Sequence, residues 1–305
     1  MNRRHFVGLT ASAVVAQGLP RAFAAPVKPF ALGLVIKPFG APEERLRMVH
    51  EMGFPTVFLS MDQYLGSFTA ELASQYRELL AKYQLTATTV EVVGPPPLEW
   101  NFMQGPSTIG LVPPNTRAAR IDALRQASDF AKQVGIPQVQ THCGFIPENP
   151  GDALYAQAVE AIRTVATHCQ GNGQAFLMET GQETPTTMSR AIHDVDMPNL
   201  GVGLDTANLL LYGKANPVDA VDILGPHIKS VHAKDGRWPT NPNEFGEEVL
   251  IGKGLVDFRQ VFTKLHRLGY QGAISIERET SGPQQIEDVK TEKAYLERVI
   301  REVTA

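Results

Sequence analysis

Four polar residues recur at one kind of place in the second half of the chain. Glu179 closes the short apolar run Ala175–Glu179, Asp205 closes Gly201–Asp205, His232 closes Ile228–His232, and Glu277 closes Ala273–Glu277. Three carboxylates and one imidazole gathered without a cation repel one another and resist ionisation. A divalent metal ion removes that problem. An oxygen-rich set with one nitrogen suits Mn, Mg or Co better than a closed structural zinc site. A metal so held polarises a carbonyl, and a carboxylate beside it can take the proton from the neighbouring carbon, leaving an enediolate. All four residues are therefore candidate ligands of one metal. Each alone reads equally well as a polar strand end. Their succession on four strands carries the expectation.

Weaker candidates lie around this set. Glu91 and His142 sit at or near the ends of the preceding apolar runs, Leu85–Val93 and Gln138–Thr141. His142 suits a substrate hydroxyl, or equally a hydrogen-bonded place at a rim; Glu91 reads as a rim carboxylate. Lys234 opens the loop after His232 and offers an ammonium to hydroxyls. Arg278 follows Glu277, faces the other way by alternation, and suits an ion pair as well as a substrate contact. Trp100, Phe102 and Trp238 lie in long loops, where aromatic faces stack on a substrate ring or simply pack. Gln182 and Glu183 read as the turn and cap of the following helix.

These residues need a scaffold that brings strand ends together. From Pro29 onward, short apolar runs alternate with amphipathic stretches. The runs Phe30–Ile36, Thr56–Leu59, Leu85–Val93, Gln138–Thr141, Ala175–Glu179, Gly201–Asp205, Ile228–His232 and Ala273–Glu277 read as strands. Pro42–Met52, Thr69–Tyr83, Thr116–Val134, Asp152–Cys169, Thr184–Val195, Pro217–Leu224, Asp257–Leu268 and Gln284–Val299 read as helices. Eight such units predict a single (β/α)8 barrel, whose active site forms where strands end and the following loops begin. An open doubly wound sheet is the competitor, but no Gly-x-Gly-x-x-Gly turn follows the first strand.

Alternation supports the barrel. Strand residues two apart share a face. Ala175, Leu177 and Glu179 oppose Phe176 and Met178; Gly201, Gly203 and Asp205 oppose Val202 and Leu204. Ile228, Ser230 and His232 oppose Lys229 and Val231; Ala273, Ser275 and Glu277 oppose Ile274 and Ile276. Bulky apolar residues thus face the helices and small ones the lumen, with a polar residue at each carboxyl end. Lys229 is the exception and has to reach solvent at the barrel's bottom. The loop Gly94–Asn115 is long enough to be functional or mobile.

Composition narrows the classes. The 305 residues are 43% hydrophobic and 20% charged, with a net charge of −4. That balance argues against nucleic acid as a partner, and no apolar run is long enough for a permanent membrane span. Arg3-Arg4 and Phe6, a mildly apolar run, and Ala22-Phe23-Ala24 read as a secretory leader of the twin-arginine type over residues 1–24. The mature chain, 25–305, is then one domain that works in the periplasm or outside the cell. Cys143 and Cys169 read as two unpaired thiols.

Several segments resemble the sugar phosphate isomerase/epimerase family of the xylose-isomerase-like barrels. They are Met178-Glu179-Thr180-Gly181-Gln182-Glu183, Gly203-Leu204-Asp205-Thr206-Ala207-Asn208, Ser230-Val231-His232-Ala233-Lys234-Asp235-Gly236, Gly252-Lys253-Gly254-Leu255-Val256-Asp257-Phe258 and Ile276-Glu277-Arg278-Glu279. The resemblance spans the mature chain. Ketose 3-epimerases, which this chain resembles more distantly, use a Glu, Asp, His, Glu metal set; it maps onto Glu179, Asp205, His232 and Glu277, and implies that the two glutamates move the substrate proton. The epimerases usually carry a histidine where this chain has Asn208, and no phosphate cradle is evident. The His-rich set of the family's DNA-repair nucleases is missing. The resemblance implies a metal-dependent isomerase or epimerase for a sugar or sugar derivative, with homo-oligomers common in such barrels. A lyase or hydrolase cleaving a 3-keto-glycoside, and a periplasmic sugar-binding protein without turnover, stay open.

Overall fold

Helices begin where the sequence supplies a cap. Thr69, Asp152, Thr184, Asn216 and Asp257 each accept a hydrogen bond from a backbone N–H of the first turn, which satisfies a donor the helix itself leaves free. Proline stands in the first turn of several helices, where its missing N–H costs nothing. The computed structural model describes residues 28–305, so the expected leader, 1–24, lies outside the described residues.

The order is β1 (Leu32–Ile36), α1 (Pro42–Glu51), β2 (Thr56–Ser60), α2 (Ala70–Lys82), β3 (Thr86–Glu91), α3 (Gly105–Thr108), α4 (Pro114–Val134), β4 (Gln138–Thr141), α5 (Ala153–Gly171), β5 (Ala175–Glu179), α6 (Pro185–Val195), β6 (Leu200–Asp205), α7 (Asn208–Leu211), α8 (Pro217–Leu224), β7 (Ile228–Ala233), β8 (Asp235–Gly236), β9 (Glu248–Val249), α9 (Phe258–Arg267), β10 (Ile274–Ile276) and α10 (Pro283–Thr304). Eight strands close a barrel in the order β1-β10-β7-β6-β5-β4-β3-β2. Every neighbouring pair in it is parallel. The antiparallel pair β8 and β9 is a small ribbon in the loop between β7 and α9. No helix among the described residues is long and apolar enough to cross a membrane.

The expected alternation holds on most strands. Val202, Leu204, Val231, Ile274 and Ile276 are buried under the helix ring. In the lumen, Gly203 cannot be larger: a Cβ there would lie 2.1 Å from the Gln140 side chain. One strand departs. The pairing of β6 with β7 shifts between Val202 and Gly203, so Ile228 pairs with Val202 and Ser230 with Gly203. Ile228 therefore shares the outer face instead of the lumen. The skipped residue, Lys229, turns inward and lies over Gly201, where a Cβ would meet its Cδ at 2.7 Å. It remains part-exposed, as a lysine at the barrel's bottom requires. Cys143 and Cys169 are both buried and free.

Candidate metal centre and active-site mouth

Register decides which side chains meet. Glu179 pairs with Gly203, Asp205 with His232, and His232 with Ser275. Glu277 follows at the end of β10. The four predicted ligands thus leave adjacent strands at nearly one level. One donor atom from each of Glu179, Asp205, His232 and Glu277 lies within 4.8 Å of the others. His232 Nδ1 is 3.2 Å from Glu179 Oε1, 3.5 Å from Glu277 Oε2 and 4.0 Å from Asp205 Oδ2. Glu91, His142 and Glu179 form a second trio of the same kind, with His142 Nε2 3.3 Å from Glu179 Oε2.

The centre's charges are tightly coupled. Burial acts to raise Glu179, but the His142 and His232 rings outweigh it and hold the carboxyl below its ordinary value. Burial likewise opposes ionisation of Glu277, and Lys234 and His232 overcome it and hold that carboxyl well down. Burial disfavours charge on His232, yet Glu179 and Glu277 hold its pKa well up. Glu91 and Asp205 are pushed well above the carboxylate range by burial, with Lys234 only partly opposing the effect at Asp205. With protein charges alone, protons on these residues supply the balance that a cation would supply.

The donors fit a divalent ion. Asp205 Oδ1 accepts the backbone N–H of Ala207 and of Asn208, each at 2.8 Å. Its Oδ2 is buried with no hydrogen-bond partner and lies toward the cluster. A buried carboxylate oxygen without a donor is costly, and a cation among these four groups removes the cost.

Residues outside the predicted set hold it in place. Gln140 donates from Nε2 to Glu179 Oε2 at 2.9 Å. Gln182 lies 3.1 Å from His142 Nδ1 and donates to the Tyr212 hydroxyl at 3.1 Å. The helix cap expected at Gln182 and Glu183 belongs instead to Thr184, which accepts from Thr187 N. Glu183 is fully buried with both carboxyl oxygens unpartnered, and burial pushes it up to about 8. Asp235 accepts from the backbone N–H groups of Gly236, Gly252, Gly254 and Val256. It thereby ties the Gly-Lys-Gly loop to the end of β7. A Cβ at Gly254 would come within 2.1 Å of Asp235 Oδ1.

The substrate candidates divide. Glu91, His142, Lys234 and Trp100 line the mouth above the centre, a cavity of ≈ 500 Å³. Lys234 is buried, with Nζ 3.3 Å from Glu277 Oε2 and 2.6 Å from Glu279 Oε2. Asn208 Oδ1 faces the same ammonium at 3.5 Å. The Trp100 ring stands edge-on to His142, centroids 5.0 Å apart. Arg278 turns away toward α10, with Nε 2.9 Å from Asp288 and Nη1 2.5 Å from Glu248; of its two expected roles the ion pair is the one formed. Trp238 is 40% exposed and lies outside the mouth's lining, beside Gly213. Tyr212 and Phe245 line the mouth without having stood out in the sequence, because loop aromatics carry no periodicity.

Comparison with known proteins agrees with this architecture. A crystal structure of a xylose isomerase domain protein from Planctomyces limnophilus superposes with a TM-score of 0.85 at 30% identity, covering 90% of this chain and 99% of that one. The L-ribulose-5-phosphate 3-epimerase UlaE of Salmonella typhi is 27% identical over 265 residues, 82% of this chain and 87% of its own length. MJ1311 of Methanocaldococcus jannaschii is 28% identical over 174 residues, 53% of this chain; the chain spans 57% of that protein's length. The family described as xylose isomerase-like TIM barrel matches residues 46–299. With the closed eight-stranded barrel already in place, that match settles the kinship: the chain belongs to the xylose isomerase-like TIM barrel family.

Proposed function

We propose that the protein is a sugar isomerase or epimerase that removes and returns a proton on a carbon next to a carbonyl, with one divalent metal ion. The convergence of Glu179, Asp205, His232 and Glu277 within 4.8 Å carries this reading. The epimerase relative that spans most of the chain supports it. A bound divalent ion supplies Lewis-acid charge for the carbonyl oxygen as it becomes negative.

The protein's own groups do the rest. Glu179 and Glu277 stand on β5 and just beyond β10, with β6 and β7 between them. A sugar seated between them has a carboxylate on either side. One takes the proton and the other returns it to the opposite face, which inverts the centre; return by the same group to the neighbouring carbon isomerises it. Each carboxylate has its own donor neighbour: His142 Nε2 at 3.3 Å from Glu179 and Lys234 Nζ at 3.3 Å from Glu277. Both donors line the mouth and would hold substrate hydroxyls. Glu91, with a carboxyl oxygen within 4.8 Å of one on Glu179, lines the mouth itself and keeps its wall polar.

Solvent-proton exchange tests this. Neutral ketoses and aldoses incubated with the Mn-loaded protein in deuterated water should gain deuterium next to the carbonyl. Glu179→Gln and Glu277→Gln should each lose about 10²–10⁴-fold of the rate, the usual weight of one general base. Exchange that persists in the double variant would refute the assignment.

Residues 1–24 are assigned as a twin-arginine leader on the Arg3-Arg4 pair and the Ala22-Phe23-Ala24 site, which puts the mature enzyme in the periplasm or outside the cell. Replacing both arginines with lysine should stop export; undisturbed export would contradict the assignment.

A further inference from the structure

The mouth has more room than one small ring fills. Its volume is ≈ 500 Å³, whereas a cavity of about 150 Å³ is enough for one benzene ring, roughly a third of that space. Beyond the strand ends the rim is aromatic, and it is assembled from separate loops. Trp100 and Phe102 come from the loop after β3, Tyr212 follows α7, and Phe245 lies between β8 and β9. The Phe245 ring is 4.3 Å from that of Tyr212 and 4.6 Å from that of Phe102. Trp100 is 43% exposed while lining the same cavity. An indole left half in water at a pocket rim, in a cavity also lined by Tyr212 and Phe245, presents an apolar surface of the kind that a ring's C–H face covers.

The charges at the mouth point the same way. Four carboxyl groups line it, Asp62, Glu91, Glu277 and Glu279, beside two lysines, Lys37 and Lys234. Lys234 is already held by Glu277 and Glu279. Lys37 is the lining lysine without a carboxylate partner among the described residues, and no arginine lines the cavity. A phosphate monoester brings close to two negative charges and three acceptor oxygens, which one exposed lysine does not match.

We infer that the substrate is an uncharged molecule of two rings: a ketose or aldose carrying a second ring through a glycosidic bond, with that ring against Trp100 and Phe245. The inference rests on the proton-transfer reading above. It departs from the phosphorylated monosaccharide named for the Salmonella typhi relative. During the reaction the proton leaves carbon and returns to carbon, and the glycosidic bond stays whole.

Calorimetric titration of the Mn-loaded protein with three probes tests it: fructose, fructose 6-phosphate, and lactulose, which is fructose carrying a galactosyl ring. Lactulose should bind about tenfold tighter than fructose, near the upper end of what one aromatic contact supplies. Fructose 6-phosphate should bind no tighter than fructose. Trp100→Ala and Phe245→Ala should weaken lactulose several-fold more than fructose. Equal binding of lactulose and fructose, no binding of lactulose, or a preference for the phosphate would each overturn the inference. Deuterium exchange measured on the same samples separates the two claims. Preferred lactulose binding without exchange would remove the proton-transfer reading and leave the substrate class. Exchange fastest on the phosphate would do the reverse.

Discussion

His232 Nδ1 stands 3.2 Å from Oε1 of Glu179, so side chains from strands β7 and β5 meet across β6. The other oxygen of that carboxylate accepts the Gln140 amide at 2.9 Å. Gln140 thus fixes which way Glu179 faces. Gln140→Leu removes that donor while keeping a similar volume beside Gly203. Metal affinity should fall about 10–100-fold, as when outer partners of metal ligands are lost, with the circular dichroism of the barrel unchanged. Mn titration of the variant checks this; wild-type affinity would show that Glu179 needs no such support.

Arg120 is fully buried and holds the long loop over the mouth. Its guanidinium donates to the carbonyls of Gly110 at 2.9 Å and Pro97 at 2.8 Å. Arg120→Met strands both carbonyls. At about 1–3 kcal/mol for each buried group left unsatisfied, the loss is roughly 2–6 kcal/mol. Urea unfolding reads the loss, and chymotrypsin should cut sooner near Trp100 and Phe102. A variant as stable as the wild type would contradict this account of the loop.

Glu183 gives a pH dependence with a definite sign. Burial raises its carboxyl from 4.5 to about 8, so the folded state keeps a proton that the unfolded state has released. Its contribution to stability is full below the unfolded pKa and is lost as pH rises toward the folded one, at about 1.4 kcal/mol per unit. Glu183→Gln stays neutral and avoids this loss. Between about pH 5 and about pH 8 the wild type should therefore lose several kcal/mol relative to the variant. Parallel stability profiles for the two proteins would mean that Glu183 ionises freely in the fold.

The strand-end set was legible because alternation fixes which residues face the lumen, and strand ends fix their height. Glu179, Asp205, His232 and Glu277 could be read without knowing any contact. Gln140 could not: an amide inside a short strand looks like any polar residue until Glu179 lies beside it. The neighbours of Gln182 permit a helix cap, while its partners, His142 and Tyr212, are 40 and 30 residues away. Ile228 and Lys229 exchanged faces because one irregular pairing breaks a period that sequence alone treats as strict. The sequence around Arg278 suits an ion pair and a substrate contact alike, and only the positions of Glu248 and Asp288 decide between them.

Metal content tests the central claim most directly. The protein and its Asp205→Ala variant are stripped of metal, reconstituted in turn with Mn, Mg, Co and Zn, and analysed for bound ion per chain. The account predicts close to one ion per chain in the wild type, with Mn, Mg or Co held, and little in Asp205→Ala, because Oδ2 of Asp205 lies at the cluster with no hydrogen-bond partner. Equal metal in both proteins, or none in the wild type with any of the four ions, would contradict a centre built from Glu179, Asp205, His232 and Glu277.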